Sequence, residues 1–105
     1  MRHVRTRAEF ERLWDESPAL VCDFSAAWCG PCKKLEPVLR SLEATYPGIV
    51  FAKVDTGEHK RLSRCLEIRC VPTVFLVKKG ELVRRLVGHE IFASLSEYVK
   101  ELLDE

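Results

Sequence analysis

The sequence predicts an α/β sandwich, a central mixed β-sheet with helices on both faces in the order β-α-β-α-β-α-β-β-α. Three observations carry this. Ala19 to Phe24, an apolar run of strand length, reads as a strand buried on both faces, and Thr73 to Val77 as a further strand. Segments with apolar residues at helical spacing alternate with the strands. Toward the C-terminal end, two strand-like runs flank Lys78-Lys79-Gly80-Glu81, a turn, so the sheet ends in a hairpin and is not purely parallel.

The elements follow in order. Residues 2–5 suit a short strand. Residues 7–16 carry Phe10, Leu13 and Trp14 at helical spacing, and Ser17-Pro18 stops that helix. Ala19 to Phe24 is continuous apolar chain interrupted by one acid, Asp23. Residues 30–46 are helical through Leu35, Val38, Leu39, Leu42 and Tyr46, end at Pro47-Gly48, and should kink at Pro37. Ile49 to Val54 is a second buried strand, and 58–66 a helix with a basic outer face. Thr73 to Val77 pairs with Leu82 to Val87. Ile91, Phe92, Leu95, Tyr98, Val99, Leu102 and Leu103 form the apolar stripe of a terminal helix.

Composition bounds the function. The 105 residues suit a single domain, 1–105, that buries about two-thirds of its unfolded surface without staples. Seventeen Lys and Arg against sixteen Asp and Glu leave a net charge of +1, no electrostatic reason for a nucleic-acid or membrane partner. No stretch approaches the roughly 18 apolar residues of a spanning helix. The first ten residues carry positive charge without an apolar run behind it, so a secretory signal is not expected. A reducing, cytoplasmic compartment is the expectation. There, five cysteines are more readily catalytic, metal-binding or buried than structurally bridged.

The chemistry concentrates in one loop, Phe24-Ser25-Ala26-Ala27-Trp28-Cys29-Gly30-Pro31-Cys32-Lys33, between a buried strand and the Pro37 helix. Cys29 falls at the helix N-terminus, where free amide N–H groups and the helix dipole favour a thiolate, the attacking form of the sulfur. Cys32 lies one turn further in on the same face, placed to resolve a mixed disulfide. Gly30 and Pro31 set the turn, and Pro31 suits the first helical turn because it lacks an N–H. Asp23, an acid in an apolar strand, is expected to have a raised pKa and to exchange protons near pH 7.

This ordered set resembles the thioredoxin family along nearly the whole chain. Asp23-Phe24-Ser25-Ala26 leads into Trp28-Cys29-Gly30-Pro31-Cys32-Lys33, with Pro37 at the kink. Lys53-Val54-Asp55, Val71-Pro72-Thr73, Gly80 and Val87-Gly88 follow. The resemblance implies a thioredoxin-like fold and reduction of protein disulfides through a reversible Cys29–Cys32 disulfide, with no bound cofactor or metal. It implies Asp23 as the proton-transferring acid, Lys53 as its neighbour, and Pro72 as a cis-proline facing the cysteines. Substrate would bind along Trp28, Gly30, Pro31, Val71, Pro72 and Gly88, the Val71 backbone pairing with an extended segment. The implied partners are disulfide-containing proteins and a flavoprotein thioredoxin reductase drawing on NADPH. Such a protein would contribute to cell redox homeostasis as a monomer. Ser25 and His89 depart from many relatives, and His89 bears on docking and pH dependence.

The same residues bear other readings. Four thiolates, Cys29, Cys32, Cys65 and Cys70, would make a zinc site, but Pro31 fits a helix start better. A Cys29–His89 protease pair lacks an orienting group. Cys22 reads as core filler. Cys70, two residues before Pro72, is a candidate regulatory thiol or dimer cross-link. Lys60, Arg61, Arg64 and Arg69 suit a solvated face, and His3 and His59 an idle surface. A thiol-independent binding module and a secretory oxidase or isomerase are the rival functions.

Overall fold

Strand β2 (Ala19–Ser25) is buried at every position, so it lies inside a sheet covered on both faces. It pairs in parallel with β3 (Val50–Asp55) and antiparallel with β4 (Thr73–Lys78). β1 (Arg2–His3) extends the sheet beyond β3, and β5 (Glu81–Val87) beyond β4, giving the order β1-β3-β2-β4-β5. The helices are α1 (Arg7–Glu16), α2 (Gly30–Thr45), α3 (Lys60–Cys65) and α4 (His89–Glu101). This computed structural model describes residues 1–104.

Alternation along β2 divides the core in two. Ala19 and Val21 pack with Leu35, Leu39 and Leu42 of α2 and Ile91, Leu95 and Val99 of α4. Leu20, Cys22 and Phe24 turn the other way, onto Phe10 and Leu13 of α1 and Leu62 of α3. There Phe24 and Phe75 meet edge to face at 4.8 Å between ring centroids. Such a pair adds about 1 kcal/mol to the burial of its rings. Asp23 follows the parity of Val21 and therefore points toward the α2 side.

Local signals set the element ends. Thr6 Oγ1 caps α1 by accepting a hydrogen bond from the Glu9 amide at 3.1 Å. α2 continues through Pro37. At the hairpin, Lys79 and Gly80 both take positive φ, 51° and 80°, the backbone of a tight two-residue turn. A register shift between Leu76 and Val77 leaves Val83 as an extra residue on β5, a bulge in the edge strand.

Four expectations need correction. The strand expected over 2–5 is assigned only at Arg2–His3, although the Val4 amide still donates to the Lys53 carbonyl at 2.9 Å. The helix expected over 58–66 begins only at Lys60, because Asp55 Oδ1 accepts from the Gly57 and Glu58 amides and holds 56–58 in a turn. The terminal stripe is narrower than read: Leu103 lies beyond α4 and is half exposed, and Phe92 is 46% exposed. His59 is not idle at the surface, since its Nε2 lies 3.2 Å from the Val4 carbonyl oxygen and ties α3 to the N-terminal segment.

Candidate active site

Cys29 is the N-cap of α2, and Gly30 and Pro31 open the helix behind it. Pro31 has no amide hydrogen to leave unpaired there. The Cys29 sulfur accepts a hydrogen bond from the Cys32 amide at 3.2 Å, the place an N-cap oxygen normally takes. Cys29 and Cys32 are joined as a disulfide with Cα atoms 5.3 Å apart. The helical turn sets that spacing, which lies within the range a disulfide spans. Both cysteines are buried, against Ala26 and Val71.

The segment before β4 closes over this pair. The Val71–Pro72 peptide is cis. The Gly88 amide donates to the Pro72 carbonyl at 3.4 Å, and Thr73 Oγ1 donates to the Cys70 carbonyl at 2.7 Å. Beside it lies an apolar groove of about 350 Å³ lined by Pro31, Lys34, Val71, Pro72, Gly88, His89 and Phe92. Trp28, 82% exposed, lies outside that groove and shares a second depression with Thr56, Ile68, Arg69, Cys70 and Val71. The continuous rim expected from Trp28 to Gly88 is thus two surfaces meeting at Val71. Gly30 lines neither of them.

On the α2 side of β2 sits Asp23, fully buried, with both carboxyl oxygens lacking a hydrogen-bond partner. Burial pushes its pKa up to about 7, the Lys53 ammonium opposes the rise, and the Glu36 carboxylate adds to it. Asp23 and Lys53 are register partners on β2 and β3. Lys53 Nζ nevertheless donates to Glu36 Oε1 at 3.0 Å. That bond, ahead of other causes, holds Glu36 below the usual carboxylate range. A second groove, of about 170 Å³, reaches Cys32 from this side between His3, Glu36, Lys53 and Asp55.

The remaining cysteines stand apart. Cys22 is buried on the opposite face of β2, and burial raises its pKa well above the ordinary thiol value. Cys65 and Cys70 are exposed free thiols, whereas Cys29 and Cys32 are bonded to each other. Among the described residues, no three His, Cys, Asp or Glu side chains converge as metal ligands. Taken together, a helix-capping sulfur and a second sulfur one turn away can carry out dithiol–disulfide exchange.

Comparison with known proteins bears on the same residues. The sequence model of the family described as Thioredoxin matches residues 2–101. The chain belongs to the thioredoxin family. The mitochondrial Thioredoxin-3 of Saccharomyces cerevisiae is 37% identical over 94 residues, 90% of this chain and 73% of that protein. A rice thioredoxin (Oryza sativa subsp. japonica) is 38% identical over 89 residues, 81% of this chain but 64% of the longer relative. The crystal structure of the oxidised yeast mitochondrial protein superposes with a TM-score of 0.88 at 34% identity, covering 96% of this chain and 94% of that one. The fold is therefore thioredoxin-like, as the element order and the motifs led us to expect.

Two features of this thioredoxin-family site escaped the sequence reading. Glu36 was not singled out, although it stands four residues after Cys32 and so on the same face of α2. His3 was expected to be idle, yet it pairs in register with Lys53 and lines the groove that reaches Cys32.

Proposed function

We propose that the chain, 1–105, works as one thioredoxin domain that reduces protein disulfides. The observation that carries this reading is the Cys29–Cys32 disulfide set at the N-terminus of α2. In the reduced protein the Cys29 thiolate attacks a substrate disulfide. A Cys29–substrate mixed disulfide forms, and one substrate sulfur leaves and takes up a proton. Cys32 then gives its proton to the Asp23 carboxylate and attacks the Cys29 sulfur. The second substrate thiol departs, and the protein is left with the Cys29–Cys32 disulfide. Two electrons pass from the dithiol to the substrate. An NADPH-dependent flavoprotein reductase returns them.

Substrate docks along Pro31, Val71, Pro72 and Gly88, its backbone pairing with Val71. Trp28 extends the contact surface on the other side of Val71, Gly30 at the first turn of α2 meets the substrate outside both depressions, and Lys53 modulates Asp23. The protein acts as a monomer in a reducing compartment, which we take to be the cytoplasm. Exposed Cys70 is the thiol through which two copies would join on oxidation, and a Cys70→Ser variant that still forms the dimer on a non-reducing gel would remove that role.

The deciding experiment is insulin reduction with NADPH and a thioredoxin reductase, run beside a Cys32→Ser variant. The parent turns over, and the variant accumulates a covalent adduct through Cys29. A variant that traps nothing while the parent reduces insulin overturns the assignment of roles.

A further inference from the structure

The side of the site away from the docking groove carries a device that dithiol exchange alone does not call for. The groove reaching Cys32 between β1, β3 and α2 shares no lining residue with the apolar groove at Pro72. The two grooves therefore open on separate surfaces of the protein. His3, Lys53 and Asp23 lie in register across β1, β3 and β2, so their side chains leave one face of the sheet in a row. Lys53 alone of the three has both the reach and the charge to satisfy the buried Asp23 carboxyl. It does not: both Asp23 oxygens lack a partner, and the ammonium is bound to Glu36 at 3.0 Å.

We propose that Glu36 is a positioning residue: by holding the Lys53 ammonium at the groove mouth, it keeps Asp23 unpaired and ready to take the proton of Cys32. The inference rests on the reading of Asp23 as the proton acceptor of the exchange reaction and adds the residue that tunes it. Were Lys53 released, it would turn inward and form an ion pair with Asp23. A carboxylate so paired holds a proton poorly and accepts one from a thiol reluctantly. The two components of the pair are each about one-third exposed, so the clamp is formed at the surface and acts on a buried group behind it.

The groups facing Asp23 can be named from each element packed against it. α2 contributes Glu36 and β3 contributes Lys53, the two charges that act on Asp23; His3, Cys32, Lys33 and Asp55 line the groove beside Glu36 and Lys53, and the register partner on β4, Val74, is uncharged. Arg40 acts on Glu36 rather than on Asp23. Cys22 is the chain neighbour of Asp23 but points into the opposite core.

The test is a titration of the Asp23 carboxyl carbon by NMR in the oxidised protein, which needs no turnover. Glu36→Gln keeps the shape of the side chain and removes its charge. It should lower the Asp23 midpoint by about one pH unit or more, as expected of a carboxyl that gains a cation at contact distance. In a Lys53→Met background the same substitution should move the midpoint much less, because Glu36 acts through Lys53. An unchanged midpoint in Glu36→Gln overturns the proposal. So does an equal fall with and without Lys53, which would mean that Glu36 acts by its own charge across the groove. Failure of insulin reduction in the parent would instead refute the reductase reading and leave this titration standing.

Discussion

Asp23 and Lys53 face each other in register on neighbouring parallel strands, yet the carboxyl accepts nothing from the ammonium, which bonds Glu36 instead. A buried acid left in this state favours its neutral form. The proposed mechanism uses that same property, a carboxyl that exchanges its proton near pH 7, to take the proton of a thiol. Function and stability are thereby set against each other at one residue.

The stability side can be measured. The Asp23 pKa rises from 3.8 to about 7 on folding. The folded state thus binds a proton that the unfolded state has released between these values, and stability falls as pH rises through that window. The difference amounts to roughly 4 kcal/mol at about 1.4 kcal/mol per pH unit. Asp23→Asn, which cannot ionise, should be more stable than the parent at pH 8 by up to that amount. The advantage should shrink as pH falls through that window and vanish only below about pH 3, where the parent is protonated in both states. Denaturant unfolding at a series of pH values checks this, and parallel curves for the two proteins would refute it.

That Asp23 is special was legible, since it is the one acid in a strand-length apolar run. The cysteine pair was legible because its chemistry is contiguous in sequence and a helix start orders it. What joins Lys53 to Glu36 was not. It requires the β2–β3 register and the rotation of α2 above the sheet, neither of which is written in local periodicity. The fold itself was readable because strand and helix periods differ, and the errors fall where period says least. A turn built on Asp55 shortened α3, and a stripe that looked uniformly apolar hid the half-exposed Phe92.

Phe92 has a use that the stripe reading overlooked. It lines the apolar groove with Pro31, Val71 and Pro72 while keeping nearly half of its surface exposed. Its exposed part should be covered by a docked substrate, because it shares a groove with Pro31, which lies between the cysteines, and with Val71, which packs against them. Phe92→Ser should raise KM for a protein disulfide by about three- to tenfold, the loss of roughly 1 kcal/mol of apolar contact, with kcat nearly unchanged. A small synthetic disulfide too short to reach Phe92 should be reduced as before. Equal KM for the protein substrate in variant and parent would remove Phe92 from the docking surface.

The hairpin between β4 and β5 is pinned from below. The Trp14 indole N–H donates to the Gly80 carbonyl at 2.9 Å, and its ring meets Phe75 edge to face at 6.1 Å. Trp14→Phe retains an aromatic ring and loses the hydrogen bond, which should destabilise by about 1 kcal/mol. Gly80→Ala forces a side chain onto a backbone with φ of 80° and should cost about 1–2 kcal/mol. Urea midpoints read both. A Gly80→Ala protein as stable as the parent would show that the turn relaxes to another backbone form.

Cys22 supplies a clock for opening of the core. Its sulfur is buried between α1, α3 and the sheet, and burial, with the Asp23 charge as a lesser cause, holds its pKa well above the ordinary thiol value. Exposure and thiolate content both govern alkylation. In the reduced protein Cys65 and Cys70, both exposed, should take up iodoacetamide freely, and so should Cys29 at the head of α2. Cys22 must wait for unfolding, which makes its labelling slower by a factor on the order of 10³ or more in native buffer. Raising the pH to 8 should leave Cys22 protected. Peptide mapping by mass spectrometry separates the sites. Labelling of Cys22 at the rate of Cys65 would mean that the face of β2 under Phe24 opens far more readily than its packing allows.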